Sequence, residues 1–516
     1  MVLAVMLLSV TSLYAQITTQ QVDSLVSKAM QEFHVPGVAV GIVKDGKIVY
    51  DKGFGVRNIE EKKSYVDEHT QFAIASNTKA FTSAALAILV DEGKISWQTK
   101  VRDIIPEFRM YNDYVSDNFI IEDLLTHRSG LGLGAGDLMI FQEETDFTIH
   151  DILTNFQYFK PVSPFRTKFD YDNLLYIVAG EVIARVSGVS WHEFIKTHLL
   201  EPLQLSDTYC TYSFINDKSN VAAPHAVTNG IPAPIPAFEF DLSKINGAAG
   251  SLYSSVNDIS KWMIMQMNGG KYGDSLQNQL FSEKSHNAMW TIHTVTGGKG
   301  NPRYHTHFSG YGLGWFLADV NGKMSVSHTG GLPGMLSKII MIPDINLGVV
   351  VLTNASDDGA GIFSAVTQTI VDSYIGLDDN HWVDKYASYF KMRQNRGDSV
   401  TAKAWETVEK HKSGKINYDD FIGVYQDNWL GKAEVYLKDG NLWFKVYRSP
   451  KLTGPMYFYN ANTFAIKWEY RAMNADAFAT FGLDKEGKAQ SIKLEGISPN
   501  IDFSFDFQDL NFKRVK

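Results

Sequence analysis

The chain has 516 residues, of which 44% are hydrophobic and 20% charged, and it carries a formal net charge of −9. This length allows two or three domains, and the composition is that of globular proteins, which excludes long disordered tracts. The negative balance also excludes the basic surface that a phosphate backbone requires, so we expect no nucleic-acid partner.

The first residues are typical of a secretory leader. The segment from Val2 to Leu13 is almost wholly apolar, and polar residues follow soon after Ala15. This pattern predicts a signal peptide over residues 1–15, cleaved after Ala15, and export to a bacterial periplasm. A buried N-terminal helix or strand is the alternative. Since the run is too short to cross a bilayer, we expect no transmembrane span in the mature chain. The sequence has a single cysteine, Cys210, and cannot form an intramolecular disulfide.

The next segments predict an α+β domain. Apolar residues at helical spacing predict a helix over 22–33. Runs 37–43 and 47–50 flank Asp45-Gly46 and predict a β-hairpin. Runs 337–341 and 347–352 predict a second strand pair. The two ends of this region therefore supply antiparallel strands to one sheet, with a helical insertion between them.

The remainder of the chain predicts a second domain. We assign residues 16–374 to the α+β domain and residues 375–415, which are charged and helical in pattern, to a connector. From residue 416 to 516 short β-rich runs alternate with turns, which is typical of a small all-β barrel or sandwich. Trp429, Trp443 and Trp468 are interpreted as core residues of this domain, with a sugar- or peptide-binding face as the alternative.

A serine and a lysine one helical turn apart form the first candidate for chemistry. Ser76 and Lys79 begin an apolar helical pattern that ends at Gly93. This spacing puts the amine beside the hydroxyl, and an apolar surrounding lowers the pKa of a lysine so that it can accept the serine proton. The same spacing recurs at Ser388 and Lys391, but that copy lies in the connector and lacks nearby partners.

Further motifs follow in a fixed order, namely Tyr171-Asp172-Asn173 before a long helical run and His328-Thr329-Gly330-Gly331 before the second strand pair. Together with Ser76 and Lys79 they resemble the serine β-lactamase and D,D-peptidase superfamily, in its class C-like branch, the peptidase S12 family. The resemblance implies a β-lactamase/transpeptidase-like fold and catalysis without a cofactor. The C-terminal region resembles the lipocalin-like barrel appended to some of these hydrolases, including an archaeal self-compartmentalising D-peptide hydrolase.

The resemblance also implies roles for the reacting groups. Ser76 would be the nucleophile and Lys79 its activating partner. Tyr171 would move the proton toward the leaving group and help to activate the hydrolytic water. Asn173 would orient Lys79 and bind the acyl-side carbonyl of the substrate.

The last motif is expected to line the opposite side of the scissile bond. The main-chain N–H groups of Ser76 and Gly331 would form the oxyanion hole, and His328, Thr329 and Gly330 would bind the substrate. This motif usually begins with lysine. Because an imidazole is mostly uncharged near neutral pH, it attracts an anionic substrate less than lysine does. We therefore predict weak β-lactam turnover and better activity on D-peptides or esters.

The sequence thus predicts a periplasmic serine hydrolase acting on D-amino-acid-containing peptides, cell-wall fragments among them, or on related amides and esters. A β-lactamase and a non-turnover penicillin-binding sensor or scaffold remain as alternatives. The expected partner is a small-molecule or peptide substrate, and oligomeric state stays open.

We interpret His127 as part of a turn that braces the site. His305 and His307 lack a further ligand nearby, so we expect no metal. The loops 132–164 and 214–244 are expected to shape the pocket.

Overall fold

A computed structural model describes residues 16–515 apart from 62, 142–143, 229, 298–299, 357, 413–415 and 472–473. The predicted leader, residues 1–15, lies outside the described residues. The described chain forms an α+β domain built on one large antiparallel sheet, followed by a closed β-barrel, as predicted.

The large sheet joins the two ends of the first domain. Within the described residues it has eight strands, in the spatial order Lys47–Gly55, Gly37–Lys44, Leu347–Thr353, Met335–Ile342, Lys323–Leu332, Phe316–Val320, Ser309–Tyr311 and Thr294–Val295. The hairpin at Asp45-Gly46 is confirmed, and its first strand pairs directly with Leu347–Thr353. The prediction that strands distant in sequence share one sheet is therefore confirmed.

Both faces of this sheet are buried, because helices cover each of them. On one face lie Thr19–Phe33 and Asp358–Tyr374, and alternate residues of the central strands, such as Val40, pack against them. Thr18 caps the first helix by accepting a hydrogen bond from the main-chain nitrogen of Gln21. On the other face lies Val256–Met267 with the helical insertion. The sheet is thus the middle layer of a three-layer domain.

The insertion is organised around two buried helices, Thr78–Asp91 and Leu174–Ser187. Because every residue from Thr78 to Leu89 is buried, the first of these is a core helix rather than an amphipathic surface helix. The shorter helices of this region are Val101–Ile104, Asp113–Asn118, Ile121–Leu125, Ile149–Asn155, Trp191–Ile195 and Glu283–Met289. Short strand pairs join Phe72–Ala73 to Tyr253–Ser254, His225–Thr228 to Ile231–Pro234 and Lys271–Tyr272 to Asn278–Gln279.

The segment assigned to the connector contains the helix Trp382–His411, which leads to the barrel. The eight barrel strands found among the described residues are Gly423–Asp427, Gly431–Lys438, Asn441–Val446, Thr453–Asn460, Thr463–Ile466, Ala477–Leu483, Ala489–Gly496 and Phe512–Arg514. Each pairs with the next, and the last pairs with the first, so this sheet has no open edge. Trp429, Trp443 and Trp468 are all buried.

Among the described residues, no single helix is long and apolar enough to cross a membrane. The helices Leu174–Ser187 and Trp191–Leu200, which form a bent pair, reach the required length and apolar composition only when they are taken together.

Candidate active site

Ser76 lies in a sharp turn at the start of the core helix. The single turn Ala75–Asn77 precedes that helix, and Ala75 adopts a left-handed conformation with φ of 48°. A residue with a Cβ rarely adopts this conformation, so the surrounding contacts must hold it. One of them is a hydrogen bond of 2.8 Å from the Asn77 amide to the Ser337 hydroxyl. Ser76 remains partly exposed although its neighbours are buried, which leaves its hydroxyl accessible.

Lys79 is fully buried beside Ser76. Its Nζ lies 3.1 Å from Ser76 Oγ, 2.7 Å from Asn173 Oδ1 and 2.8 Å from the main-chain oxygen of Ala249. Burial lowers the pKa of Lys79 to about 7, against the opposing effect of nearby carboxyl groups. Near neutral pH a large fraction of this amine is therefore uncharged and can accept a proton from Ser76.

Tyr171 forms the third part of the site. Lys79 Nζ lies 4.8 Å from the centre of its ring. Burial raises the pKa of Tyr171 well above its ordinary value, and the nearby Ser76 hydroxyl opposes part of that rise. The Tyr171 hydroxyl is buried and makes no hydrogen bond of good geometry within the part of the chain that is described. It is therefore a neutral phenol with a free proton close to the nucleophile.

His127 braces this tyrosine, as the sequence interpretation of its turn suggested. Its ring packs against the Tyr171 ring at a tilt of 30°, with 4.1 Å between ring centres, and its Nδ1 accepts a hydrogen bond of 3.0 Å from the main-chain nitrogen of Asp172. Burial lowers the pKa of His127 well below its ordinary value, so the imidazole is neutral. It holds the position of Tyr171 by packing rather than by charge.

The strand Lys323–Leu332, which carries residues 328–331, runs past the turn Ala75–Asn77 that holds Ser76. Gly330 is required there, since a Cβ at this position would lie 2.0 Å from the main-chain oxygen of Ile74. Thr329 and Gly331 are exposed on this strand, and Gly331 lines the cavity beside Ser76. The structure therefore brings the three sequence motifs together at one site.

The position of His328 does not fit the expectation that it binds the substrate. Its Nδ1 lies 2.6 Å from the Thr329 main-chain oxygen, which can only accept, so Nδ1 carries the proton and Nε2 accepts from the Tyr311 hydroxyl at 2.9 Å. Burial, with a contribution from Lys79, lowers the pKa of His328 to about 3. As placed, this neutral ring offers a substrate neither a free nitrogen nor a positive charge.

A small apolar cavity opens beside Ser76. The described residues that line it are Ala75, Ser76, Ile140, Phe141, Asn173, Phe240, Ala249, Gly250, Gly331 and Leu332, and none of them is charged. Phe141 and Phe240 belong to the loops that were expected to shape the pocket. The cavity therefore suits an uncharged, apolar group attached to the reacting carbonyl.

Sequence reasoning missed residues that complete the site. Asp137 is fully buried and accepts a hydrogen bond of 2.8 Å from the Asn173 amide. Burial raises the pKa of Asp137 to about 7. Ser504 donates to the same carboxyl at 2.8 Å, and the ring of Phe503 packs edge-on against Tyr171. No local pattern indicates these residues, because each acts through partners that are distant in sequence.

Comparisons with known proteins agree with this geometry. Residues 22–365 match the family model described as Beta-lactamase, and residues 408–514 match a domain of unknown function, DUF3471. The unguisins hydrolase ungD' of Aspergillus campestris is 25% identical over 71% of this chain and 68% of its own length. Protein flp of Staphylococcus aureus is 29% identical over 66% of this chain, but only 64% of that protein's length is spanned.

Two solved structures share the fold. An octameric penicillin-binding protein homologue from Pyrococcus abyssi superposes over 96% of this chain and all of its own, with a TM-score of 0.59 and 22% identity. A penicillin-binding protein from Bacillus halodurans covers 66% of this chain and 98% of its own, with a TM-score of 0.54 and 22% identity. Because the Beta-lactamase model matches well over half of its residues, the chain belongs to the beta-lactamase family of serine hydrolases.

Proposed function

We propose that this serine hydrolase is an exported enzyme that forms an acyl-enzyme at Ser76 and hydrolyses D-amino-acid-containing peptides or related amides and esters. One observation carries the proposal: a fully buried amine with a pKa of about 7 lies 3.1 Å from the hydroxyl of Ser76. A lysine in this state is a base that operates near neutral pH.

Acylation begins when neutral Lys79 accepts the hydroxyl proton as Ser76 Oγ attacks the substrate carbonyl carbon. The main-chain N–H groups of Ser76 and Gly331 would hold the resulting oxyanion, and each such donor contributes about 3 kcal/mol to the transition state. The bond to the leaving group then breaks, and the departing nitrogen or oxygen takes a proton from Tyr171. Lys79 returns a proton to Tyr171. Because burial keeps Tyr171 a neutral phenol, it suits the role of donor.

Deacylation reverses these proton movements. A water molecule attacks the ester carbonyl of the acyl-enzyme and loses its proton to the Lys79 and Tyr171 pair, and Ser76 leaves with a proton returned from the same pair. Asn173 keeps the Lys79 amine in place throughout, through the 2.7 Å contact with its side-chain oxygen.

The electrostatics of the pocket support an uncharged substrate. The described cavity lining has no charged residue, and His328 carries no positive charge near neutral pH. An anionic group on the substrate, such as the carboxylate of a β-lactam, would find little attraction there. This favours amides, esters and peptides whose leaving group carries no carboxylate next to the scissile bond over β-lactams. Export rests on the sequence of residues 1–15 and is tested by N-terminal sequencing of the mature protein.

The nucleophile is tested by covalent labelling. Full-length protein is treated with a fluorophosphonate probe, and the modified peptide is identified by mass spectrometry. We expect the adduct on Ser76 and no labelling of Ser76→Ala. The matched control is Ser388→Ala, which removes the serine of the other serine-lysine pair from the helix Trp382–His411, and it should label like the wild type.

Substrate class is tested on the same preparations with D-alanyl peptides, p-nitrophenyl butyrate and nitrocefin. We expect turnover of the peptides or the ester to exceed that of nitrocefin. Labelling that persists in Ser76→Ala would disprove the proposed nucleophile. A stable adduct without turnover of any substrate would support the sensor, and nitrocefin hydrolysis faster than every peptide and ester would support the β-lactamase.

A further inference from the structure

A loop of the barrel packs against residues that surround the catalytic serine. Asp506 accepts hydrogen bonds from the main-chain nitrogens of Gly136 at 2.7 Å and Leu138 at 3.1 Å. Phe503 of the same loop packs on Tyr171, with 5.9 Å between ring centres. The C-terminal domain therefore contacts the active site directly, through residues 503–506.

Ser504 begins a chain of hydrogen bonds that ends at the nucleophile. Its hydroxyl donates to Asp137 Oδ2 at 2.8 Å, and the same oxygen accepts from Asn173 Nδ2 at 2.8 Å. Asn173 Oδ1 then accepts from Lys79 Nζ, which lies 3.1 Å from Ser76 Oγ. Ser504, Asp137 and Lys79 are fully buried, and Asn173 is only 4% exposed, so water does not compete for these contacts.

The orientation of the Asn173 amide decides whether Lys79 has an acceptor there. An asparagine side chain carries a donor on one side and an acceptor on the other, and only its partners determine which way it points. A carboxylate at Asp137 accepts hydrogen bonds, so it attracts the Asn173 amide nitrogen and turns the amide oxygen toward Lys79. If Asp137 moved, the amide could present its nitrogen to the amine and displace it from Ser76.

We propose that Ser504 is a positioning residue of the active site: the barrel uses its hydroxyl to hold Asp137, which fixes the Asn173 amide and so aligns Lys79 with Ser76. This inference rests on the proposed function, because it assigns a role within the same acylation step. It gives the C-terminal domain a part in catalysis beyond its attachment to the chain.

The competing explanation is that this loop only docks the barrel on the first domain. Two residues of the loop distinguish docking from positioning of the active site. Asp506 anchors the loop to main-chain nitrogens of the turn at Gly136, whereas Ser504 contacts a side chain that belongs to the site. Loss of the Ser504 hydroxyl alone should therefore leave the barrel docked. Loss of docking would lower stability, whereas loss of positioning would lower the reactivity of Ser76.

The test compares full-length Ser504→Ala and Ser504→Thr with the wild type. The second-order rate of fluorophosphonate labelling of Ser76 is measured across pH, together with kcat and KM for p-nitrophenyl butyrate and the melting temperature. The matched control is Ser449→Ala, which removes a fully buried barrel hydroxyl that has no hydrogen-bond partner among the described residues.

We expect Ser504→Ala to lower the labelling rate and kcat about tenfold with little change in KM. We also expect the acid limb of the pH profile to move to lower pH. Without the Ser504 hydrogen bond Asp137 holds its proton more readily, and a neutral Asp137 no longer raises the pKa of Lys79. The other titratable groups around Lys79, namely Asp172, His127, His328, Tyr171 and Tyr176, are unchanged in the variant, and so are Asp502 and Asp506, the carboxyls that interact with Asp137. Ser504→Thr, which keeps the hydroxyl, should restore the wild-type profile.

Wild-type rates and an unshifted profile in Ser504→Ala would overturn the inference, and so would an equal loss in Ser449→Ala. A loss in Ser504→Ala that Ser504→Thr does not restore would also count against it. These outcomes differ from a failure of the proposed function, in which the wild type itself would show no labelling of Ser76.

Discussion

The proton on Lys79 should control the rate at which Ser76 reacts. Only the neutral amine can accept the serine proton, and burial lowers the pKa of this amine to about 7. As pH falls below that value Lys79 becomes protonated, so the rate should fall. The rate at which Ser76 reacts should therefore fall in acid and reach a plateau above neutral pH.

The size of this pH effect follows from the protonation of a single group, the Lys79 amine. Below the pKa the neutral fraction falls tenfold for each pH unit, so labelling at about pH 5 should be roughly 100-fold slower than on the plateau. Asp137 and Asp172 raise the pKa of Lys79, while burial lowers it more strongly. Because Asp137 also has a pKa of about 7, the measured midpoint belongs to the Lys79 and Asp137 pair.

The assay is the second-order rate of fluorophosphonate labelling from about pH 5 to about pH 9, with circular dichroism at each pH to show that the protein stays folded. Lys79→Arg is the control, since a guanidinium stays charged throughout this range. This variant should lose most of the reactivity of Ser76, and its remaining labelling rate should no longer fall in acid. A rate that stays level down to about pH 5, or that rises only near the ordinary lysine pKa, would refute the assignment of Lys79 as the base.

Two further predictions concern Tyr171 and Gly330. Tyr171→Phe should lower kcat/KM about 10²–10⁴-fold for an amide substrate and much less for p-nitrophenyl butyrate, whose leaving group departs without a proton. Its melting temperature should stay unchanged, because the lost hydroxyl makes no hydrogen bond of good geometry among the described residues. Gly330→Ala should slow labelling of Ser76 at least about 100-fold and destabilise the fold by about 1–3 kcal/mol, since the new Cβ would meet the Ile74 main chain. Gly348→Ala is its control, because this glycine lies in the strand Leu347–Thr353, outside the site, and its Cβ would meet only the flexible ends of Met263 and Met267, the nearest at 3.0 Å.

Each of these predictions has a result that contradicts it. Equal losses on the amide and the ester in Tyr171→Phe would argue against a role in protonating the leaving group. If Gly330→Ala labelled Ser76 as fast as Gly348→Ala, the close contact of the Gly330 strand with the turn at Ser76 would be wrong.

Much of the fold and part of the site could be predicted from the sequence, because the signals are local. The Asp45-Gly46 hairpin and the later strand pair depend on residues close to one another in the chain, and so does the one-turn spacing of Ser76 and Lys79. Some barrel strands carry only weak local signals. Thr453–Asn460 contains Pro455, which cannot donate to a sheet, and Phe512–Arg514 has only three residues.

The sequence by itself determined which groups are available for chemistry and in what order they occur. Tertiary structure alone decided their states: burial makes His328 neutral and lowers the pKa of Lys79 to about 7. It also brought Ser504, 367 positions from Asp137 in the chain, into hydrogen-bond contact with the Asp137 carboxyl. The physical reason is that desolvation and hydrogen bonding depend on what surrounds a group in three dimensions, whereas sequence patterns record only neighbours along the chain.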